Sequence, residues 1–399
     1  MSKLTIKDLA IKGKRVLMRV DFNVPLSKEG SVEDDTRIRE ALPSIEYVLK
    51  EGGSLILMSH LGRPEGKRTP KYSLASCALH LSKLLKKPVR FVEDCIGQEV
   101  EKATSALKPG EIILLENLRF YPAEEDPATD PTFAQKLAKL GDLYVNDAFG
   151  TAHRAHSSTC TIAKLFPNKA AMGFLMEKEL AFLEPLLKNP QRPFYAIIGG
   201  AKISSKIGVL KSLLSRVDAL FICGGMAFTF FKAQGISIGD SICEEAQLPT
   251  AKELLQQCAS KKLPLFLPSD LLIADKVSQD AKTRVIQTKE GIPAGWQGVD
   301  MGPETMKAWI SQLEKCKTIF WNGPPGIFEI PPFAKGTEGL ARGLAKLNST
   351  RIIGGGDSVS AINHLNLSKN FTHLSTGGGA ALEFIEYGKL PGIDALSDK

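Results

Sequence analysis

Residues 199–206 read GGAKISSK and follow a short apolar run, FYAII, so Lys202 and Lys206 stand four residues apart where a strand would hand over to a helix. The first turn of a helix carries unpaired N–H groups and the positive end of the dipole, and lysine is unfavourable there unless an anion sits in front of it. At i and i+4 two side chains share one helical face and reach one ligand. A polyphosphate is the expected occupant.

Glycine-rich turns surround this stretch: GGAK (199–202), CGGMAF (223–228), WNGPPGIFE (321–329), GGGDS (354–358) and STGGGAA (375–381) all follow apolar runs. Glycine lets backbone N–H groups approach a ligand, and helix N-termini bind phosphate. One such turn alone reads as tight packing; five at one sheet edge point to a nucleotide. Neither GxGxxG after a strand nor GxxxxGK[ST] is present, which weighs against the dinucleotide and P-loop folds. Asp357 suits a Mg²⁺ ion on nucleotide phosphates, and Glu329 suits ribose hydroxyls.

The first half of the chain carries cations instead. Asp21 and Asn23 follow one apolar run, His60 and Arg63 the next, then Arg119, then His153, Arg154 and His156, while Arg37 opens a long amphipathic stretch. Singly, each reads as a surface salt bridge or a packing histidine. Together they suit a small, doubly anionic substrate, because arginine forks bind carboxylate and phosphate in bidentate fashion.

The elements that must position these groups alternate regularly. RVLMRVDF (15–22), SLILMSH (54–60), VRFVED (89–94), EIILLENLRF (111–120) and DLYVNDAF (142–149) read as strands. Residues 37–52 and 73–87 between them read as helices. FYAIIGG (194–200), ALFICGG (219–225), PLFLPSD (264–270), TIFWNG (318–323), RIIGGGD (351–357) and FTHLST (371–376) repeat the scheme. Near-continuous apolar strands alternating with helices predict an α/β chain with two doubly wound parallel sheets. Ligands then bind beyond the carboxyl ends of the strands. Residues 173–188 predict a linking helix ended by Pro190 and Pro193. The expected domains are 1–172 and 189–380.

The chain has 399 residues, a net charge of +7 and 43% hydrophobic residues, which suits two soluble domains. No compact basic run indicates nucleic acid. Seven cysteines without a CxxC pair argue against a disulfide framework or zinc site. The N-terminus lacks a signal-peptide h-region, and no apolar run spans a bilayer.

An anion site and a nucleotide site suggest phosphoryl transfer, which needs positioning and charge stabilisation but no general base when the nucleophile is already ionised. A dehydrogenase or a two-lobed anion-binding protein is the alternative; the first lacks its fingerprint, and the second has no use for paired lysines. RVDFNVP (19–25), SHLGRP (59–64), LENLRF (115–120), AHRAHSS (152–158), GGAK, WNGPPGIFE, GGGDS and STGGGA in this order resemble the phosphoglycerate kinase family. The resemblance implies 1,3-bisphosphoglycerate + ADP ⇌ 3-phosphoglycerate + ATP, with Mg²⁺, in a cytoplasmic monomer whose last residues, 381–399, pack back on the N-terminal domain; splitting the two ligands between two sheets predicts closure about the linking helix. The resemblance also implies that Asp21, Asn23, Arg37, His60, Leu61, Gly62, Arg63, Arg119 and Arg154 hold phosphoglycerate. Arg37 would also face the carboxyl end where transfer occurs, and Lys202 would stabilise the moving phosphoryl group, with Gly377, Gly378 and Gly379 opening a helix aimed at it. Lys206, Glu329, Gly355, Gly356, Asp357 and Ser358 would hold the nucleotide, and Asp357 its metal.

Overall fold

Apolar runs become strands because helices cover both faces of the sheets they form. The structure, a computed structural model, describes residues 3–399. It divides into two units, Met1–Ala181 with Lys389–Lys399, and Phe182–Gly388. In the first, β1 (Arg15–Val20), β2 (Ser54–Met58), β3 (Arg90–Val92), β4 (Ile112–Leu115), β5 (Leu143–Asp147) and β6 (Ala170–Met172) form a parallel sheet in the order β3-β4-β2-β1-β5-β6. Strands β2, β4 and β5 are buried throughout. The helix Thr36–Lys50 lays Ile38, Ala41, Ile45 and Val48 on this core, at the three- and four-residue spacing of one helical face.

The second unit contains β7 (Phe194–Ile198), β8 (Ala219–Ile222), β9 (Leu265–Phe266), β10 (Asp270–Ala274), β11 (Thr283–Gln287), β12 (Gln297–Met301), β13 (Thr318–Asn322), β14 (Thr350–Gly354) and β15 (His373–Leu374). The order β15-β14-β13-β7-β8-β9 is again parallel. Its core packs Ile197, Phe221, Trp309, Ile319 and Trp321. Both sheets reverse direction beside their first strand, between β1 and β5 and between β7 and β13, and such switch points open a crevice for ligands.

Two features depart from the sequence reading. The run 264–270 is a strand only over Leu265–Phe266; Pro268 has no N–H for a ladder, and a new strand starts at Asp270. That strand is the centre of an antiparallel sheet, β11-β10-β12, which the sequence reading lacked. Strand β6, AAM, was also missed, because alanine has little strand preference and pairing with Tyr144–Asn146 holds it in place.

The linking helix runs Phe174–Lys188. Asp147, at the end of β5, accepts hydrogen bonds from the N–H groups of Leu175 (2.9 Å) and Met176 (3.3 Å), and Ser44 accepts one from Phe174 (2.8 Å). The C-terminal segment lies on the first unit, where Ser397 N–H donates to Ala170 and Asn146 Nδ2 donates to Gly392 C=O. All seven cysteines are free thiols. No helix among the described residues is long and apolar enough to cross a membrane.

Candidate active site

In the first unit the carboxyl ends of the adjacent strands β4, β2, β1 and β5 present Arg119, His60, Asp21 and the segment leading to His153. Asp21, almost buried, accepts a 2.5 Å hydrogen bond from Nη1 of Arg37, in the first turn of Thr36–Lys50. Asn23 Oδ1 accepts from the Gly62 N–H at 2.8 Å, while Arg119 Nη1 donates to the Gly62 carbonyl at 2.9 Å. The Leu61–Arg63 turn is thus clamped from both sides. Gly62 has φ +64°, and a Cβ there would lie 2.4 Å from the Tyr72 ring, so only glycine fits. Nε of Arg119 is buried without a partner, an unmet donor in a site of positive charge. Arg63 and Arg154 are exposed, and Arg154 Nε donates to His153 Nε2 at 2.9 Å.

Beneath this layer lies a pair the sequence reading missed. Arg19, fully buried in β1, donates from Nε to Ser158 Oγ at 2.8 Å and from Nη1 to the Val20 carbonyl. Its Nη2 lies 3.2 Å from His60 Nδ1 and 3.9 Å from the buried Glu124, which accepts from both the hydroxyl and the N–H of Ser158. A charge inside the run RVLMRV was the available signal, since buried charges are paired.

The histidines are not cations here, which corrects the sequence reading. Burial, reinforced by Arg19, holds His60 well below its ordinary value. Burial likewise pushes His156 down to about 3 and His153 to about 4. The positive charge at neutral pH belongs to the arginines.

In the second unit the glycine turns prove to be of two kinds. Gly199, Gly224 and Gly323 bring three strand ends into backbone contact. A Cβ on Gly199 would lie 2.6 Å from the Gly323 carbonyl oxygen, one on Gly323 2.2 Å from that of Gly199, and one on Gly224 2.7 Å from the Gly200 nitrogen. These glycines serve packing. By contrast, a Cβ on Gly356 or Gly378 would meet nothing within 4 Å. Gly356 starts the helix Gly356–His364, and Gly378 precedes Gly379–Tyr387. Each helix start therefore has room beside its backbone, as an approaching anion requires.

Lys206 immediately precedes the helix Ile207–Leu213, and its ammonium donates to Asn322 Oδ1 at the end of β13. Burial pushes its pKa down to about 8, and Nδ2 of Asn322 is a second buried donor without a partner. Lys202 differs from expectation. It is exposed in the loop ahead of that helix, so the two lysines do not share a helical face. Glu244 accepts from the N–H (2.9 Å) and hydroxyl (2.5 Å) of Ser204 and keeps this stretch out of the helix. Ser358 is buried, its hydroxyl accepting from the Gly323 N–H at 2.7 Å. Its hydroxyl oxygen is thereby tied to a packing turn, and its backbone N–H lies in the first turn of Gly356–His364.

Beside these turns lies a cavity of about 370 Å³, walled by Phe228, Leu271, Val299 and Ile327 with Glu329 and Asp357 among its polar groups. Ile242 and Val277, also lining it, are 45% and 49% exposed. An apolar slot of this size with a few polar groups suits a planar base. The antiparallel sheet supplies one wall, and no glycine fingerprint in the sequence announces it.

The sequence model of the family described as "Phosphoglycerate kinase" matches residues 6–389. The chain is 53% identical over 399 residues to the phosphoglycerate kinase of Moorella thermoacetica, covering 100% of both. It is 51% identical over 397 residues to the cytosolic phosphoglycerate kinase of Nicotiana tabacum, covering 99% of this chain and 98% of the relative. The solved phosphoglycerate kinases of Coxiella burnetii (40% identity, TM-score 0.87) and Pyrococcus horikoshii (31%, 0.85) each match over 98% of both chains. The chain belongs to the phosphoglycerate kinase family.

Proposed function

We propose that the first unit binds phosphoglycerate and the second a magnesium nucleotide, so that the chain performs the phosphotransfer of its family, 1,3-bisphosphoglycerate + ADP ⇌ 3-phosphoglycerate + ATP, in glycolysis. The carrying observation is the contrast between strand ends lined with arginine in one unit and open helix N-termini beside an apolar cavity in the other. Asp21, Asn23, Arg37, His60, Leu61, Gly62, Arg63, Arg119 and Arg154 hold the phosphoglycerate. Lys206, Glu329, Gly355, Gly356, Asp357 and Ser358 hold the nucleotide, with Ser358 contributing its N–H.

A β-phosphate oxygen of ADP attacks the acyl phosphate in line; a P–O bond forms to ADP as the bond to the carboxyl oxygen breaks, leaving a carboxylate. That nucleophile is already ionised, so the protein supplies position and charge. Arg37, steadied by Asp21, serves the carboxyl end, and Lys202 with the N–H groups of Gly378 and Gly379 serves the moving phosphoryl group. No cluster of three or more metal-ligating side chains exists among the described residues. An exposed carboxylate at an open helix N-terminus still fits a magnesium ion carried in by phosphates, which uses one or two protein carboxylates. Asp357 would hold that ion, which when bound neutralises phosphate charge. Because transfer requires donor and acceptor in contact and water excluded, the two units approach each other about 173–188 when both ligands are bound. The protein works as a cytoplasmic monomer.

A coupled assay for ATP formation from 1,3-bisphosphoglycerate and Mg-ADP tests this reading. Turnover is expected with both substrates and Mg²⁺. Binding of either ligand without turnover would overturn it.

A further inference from the structure

We propose that Arg19 is a positioning residue that fixes the His60 imidazole as its Nε2–H tautomer, so that His60 offers the substrate a hydrogen-bond donor of fixed direction. The inference rests on the reading of His60 as a substrate contact. Its geometry is independent of that reading. A guanidinium donates and never accepts, so Nη2 of Arg19, 3.2 Å from Nδ1 of His60, requires the lone pair on Nδ1. The single proton of a neutral imidazole then resides on Nε2.

Arg19 is not free to turn away. Its Nε is held by Ser158 and its Nη1 by the Val20 carbonyl, and Glu124 stands 3.9 Å from Nη2. All these groups are buried. The other charged or titratable groups facing His60 are Arg37, Arg119, His156 and Asp21, whose Oδ1 lies 4.0 Å from Nδ1. Asp21 alone would favour a proton on Nδ1. Burial holds the ring neutral, and Arg19, closer than Asp21 and positively charged, decides which nitrogen keeps the proton. An ordinary histidine switches charge between about pH 5 and 8; held this way, His60 binds an anionic oxygen equally well across that range.

Nitrogen-15 histidine spectra of the full chain test the proposal without substrate. The expected result is a His60 ring with Nδ1 bare and Nε2 protonated, unchanged between about pH 5 and 8. A protonated Nδ1, or a ring titrating near 6.5, would overturn the proposal. Arg19→Met should remove the donor that occupies the Nδ1 lone pair, so that the Nδ1–H tautomer favoured by Asp21 appears in the nitrogen-15 spectrum while burial still keeps the ring neutral. Arg19→Met with Glu124→Gln removes both buried charges and covers the case in which the single variant fails to fold. An Nδ1 that stays bare in a folded variant would overturn the assignment of that tautomer to Arg19. Adding 3-phosphoglycerate should move the Nε2 signal; an Nε2–H that is present but unmoved would overturn the substrate reading and leave the tautomer standing.

Discussion

At the ends of β1, β2, β4 and β5 the groups available to a ligand are side chains, whereas at the starts of the helices after β14 and β15 they are backbone N–H groups. The parallel sheets have corresponding switch points, so topology does not account for the difference. In the first unit charge must be imported and then held. Arg37 rests on Asp21, Arg119 on the Gly62 carbonyl and Arg19 on Ser158 and Glu124. Removing one partner of a buried ion pair costs roughly 3–5 kcal/mol, so this scaffold is sensitive to single changes. The second unit uses the peptide groups themselves, and its requirement is the absence of side chains. Under the proposed function, the first arrangement would select a small anion by the directions of fixed forks, and the second would accept a phosphate chain beside glycine-started helices.

The largest expected effect tests the side-chain half. Arg37→Ala should lower kcat about a hundredfold or more, the scale of losing one donor aimed at developing charge. Arg37→Lys should recover little, because an ammonium cannot replace the fork. Near-normal turnover would reduce Arg37 to a structural partner of Asp21. Next, Gly323→Ala should destabilise the protein by about 2–3 kcal/mol, read from denaturant midpoints, since φ is +94° and the new Cβ would strike the Gly199 carbonyl. Gly356→Ala should leave those midpoints nearly unchanged yet raise the nucleotide Kd about tenfold, or 1.4 kcal/mol, by filling the space a ligand needs. Normal nucleotide affinity in that variant would show that phosphate does not approach the turn.

The smallest effect contrasts the units by pH. His156 drops from its ordinary 6.5 to about 3, so the unfolded chain binds more protons between those values and stability is lost as pH falls through them. Asp300, in the second unit, is pushed by burial from 3.8 to about 7, so the folded chain binds more protons there and stability is lost as pH rises through that window. Melting curves of His156→Gln and Asp300→Asn, followed against pH, should each flatten the corresponding slope by up to about 1.4 kcal/mol per pH unit. Unaltered slopes would contradict these assignments.

The sequence shows the alternation of apolar strands and helices, and with it both sheets, because burial on two faces leaves a nearly unbroken apolar run. It also shows which strand ends carry arginine and which glycine. What it hides depends on partners far along the chain. Glu124 neutralises Arg19 from a site 105 residues away, and Glu244 holds Ser204 from 40 residues away, which keeps Lys202 out of the helix that spacing alone suggests. Gly323 and Gly356 look alike in the sequence; only the atoms around each distinguish a packing glycine from one left open. The sheet of β10, β11 and β12 is obscured by Pro268 and by an exposed edge strand with a weak apolar pattern.

The division of labour between the two units is tested most directly by calorimetric titration of wild type, Arg119→Met and Lys206→Met with 3-phosphoglycerate and with Mg-ADP. Arg119→Met should weaken 3-phosphoglycerate at least tenfold, about 1.4 kcal/mol, and leave Mg-ADP unchanged. Lys206→Met should do the reverse. A variant that weakens the other unit's ligand, or both ligands equally, would contradict the account.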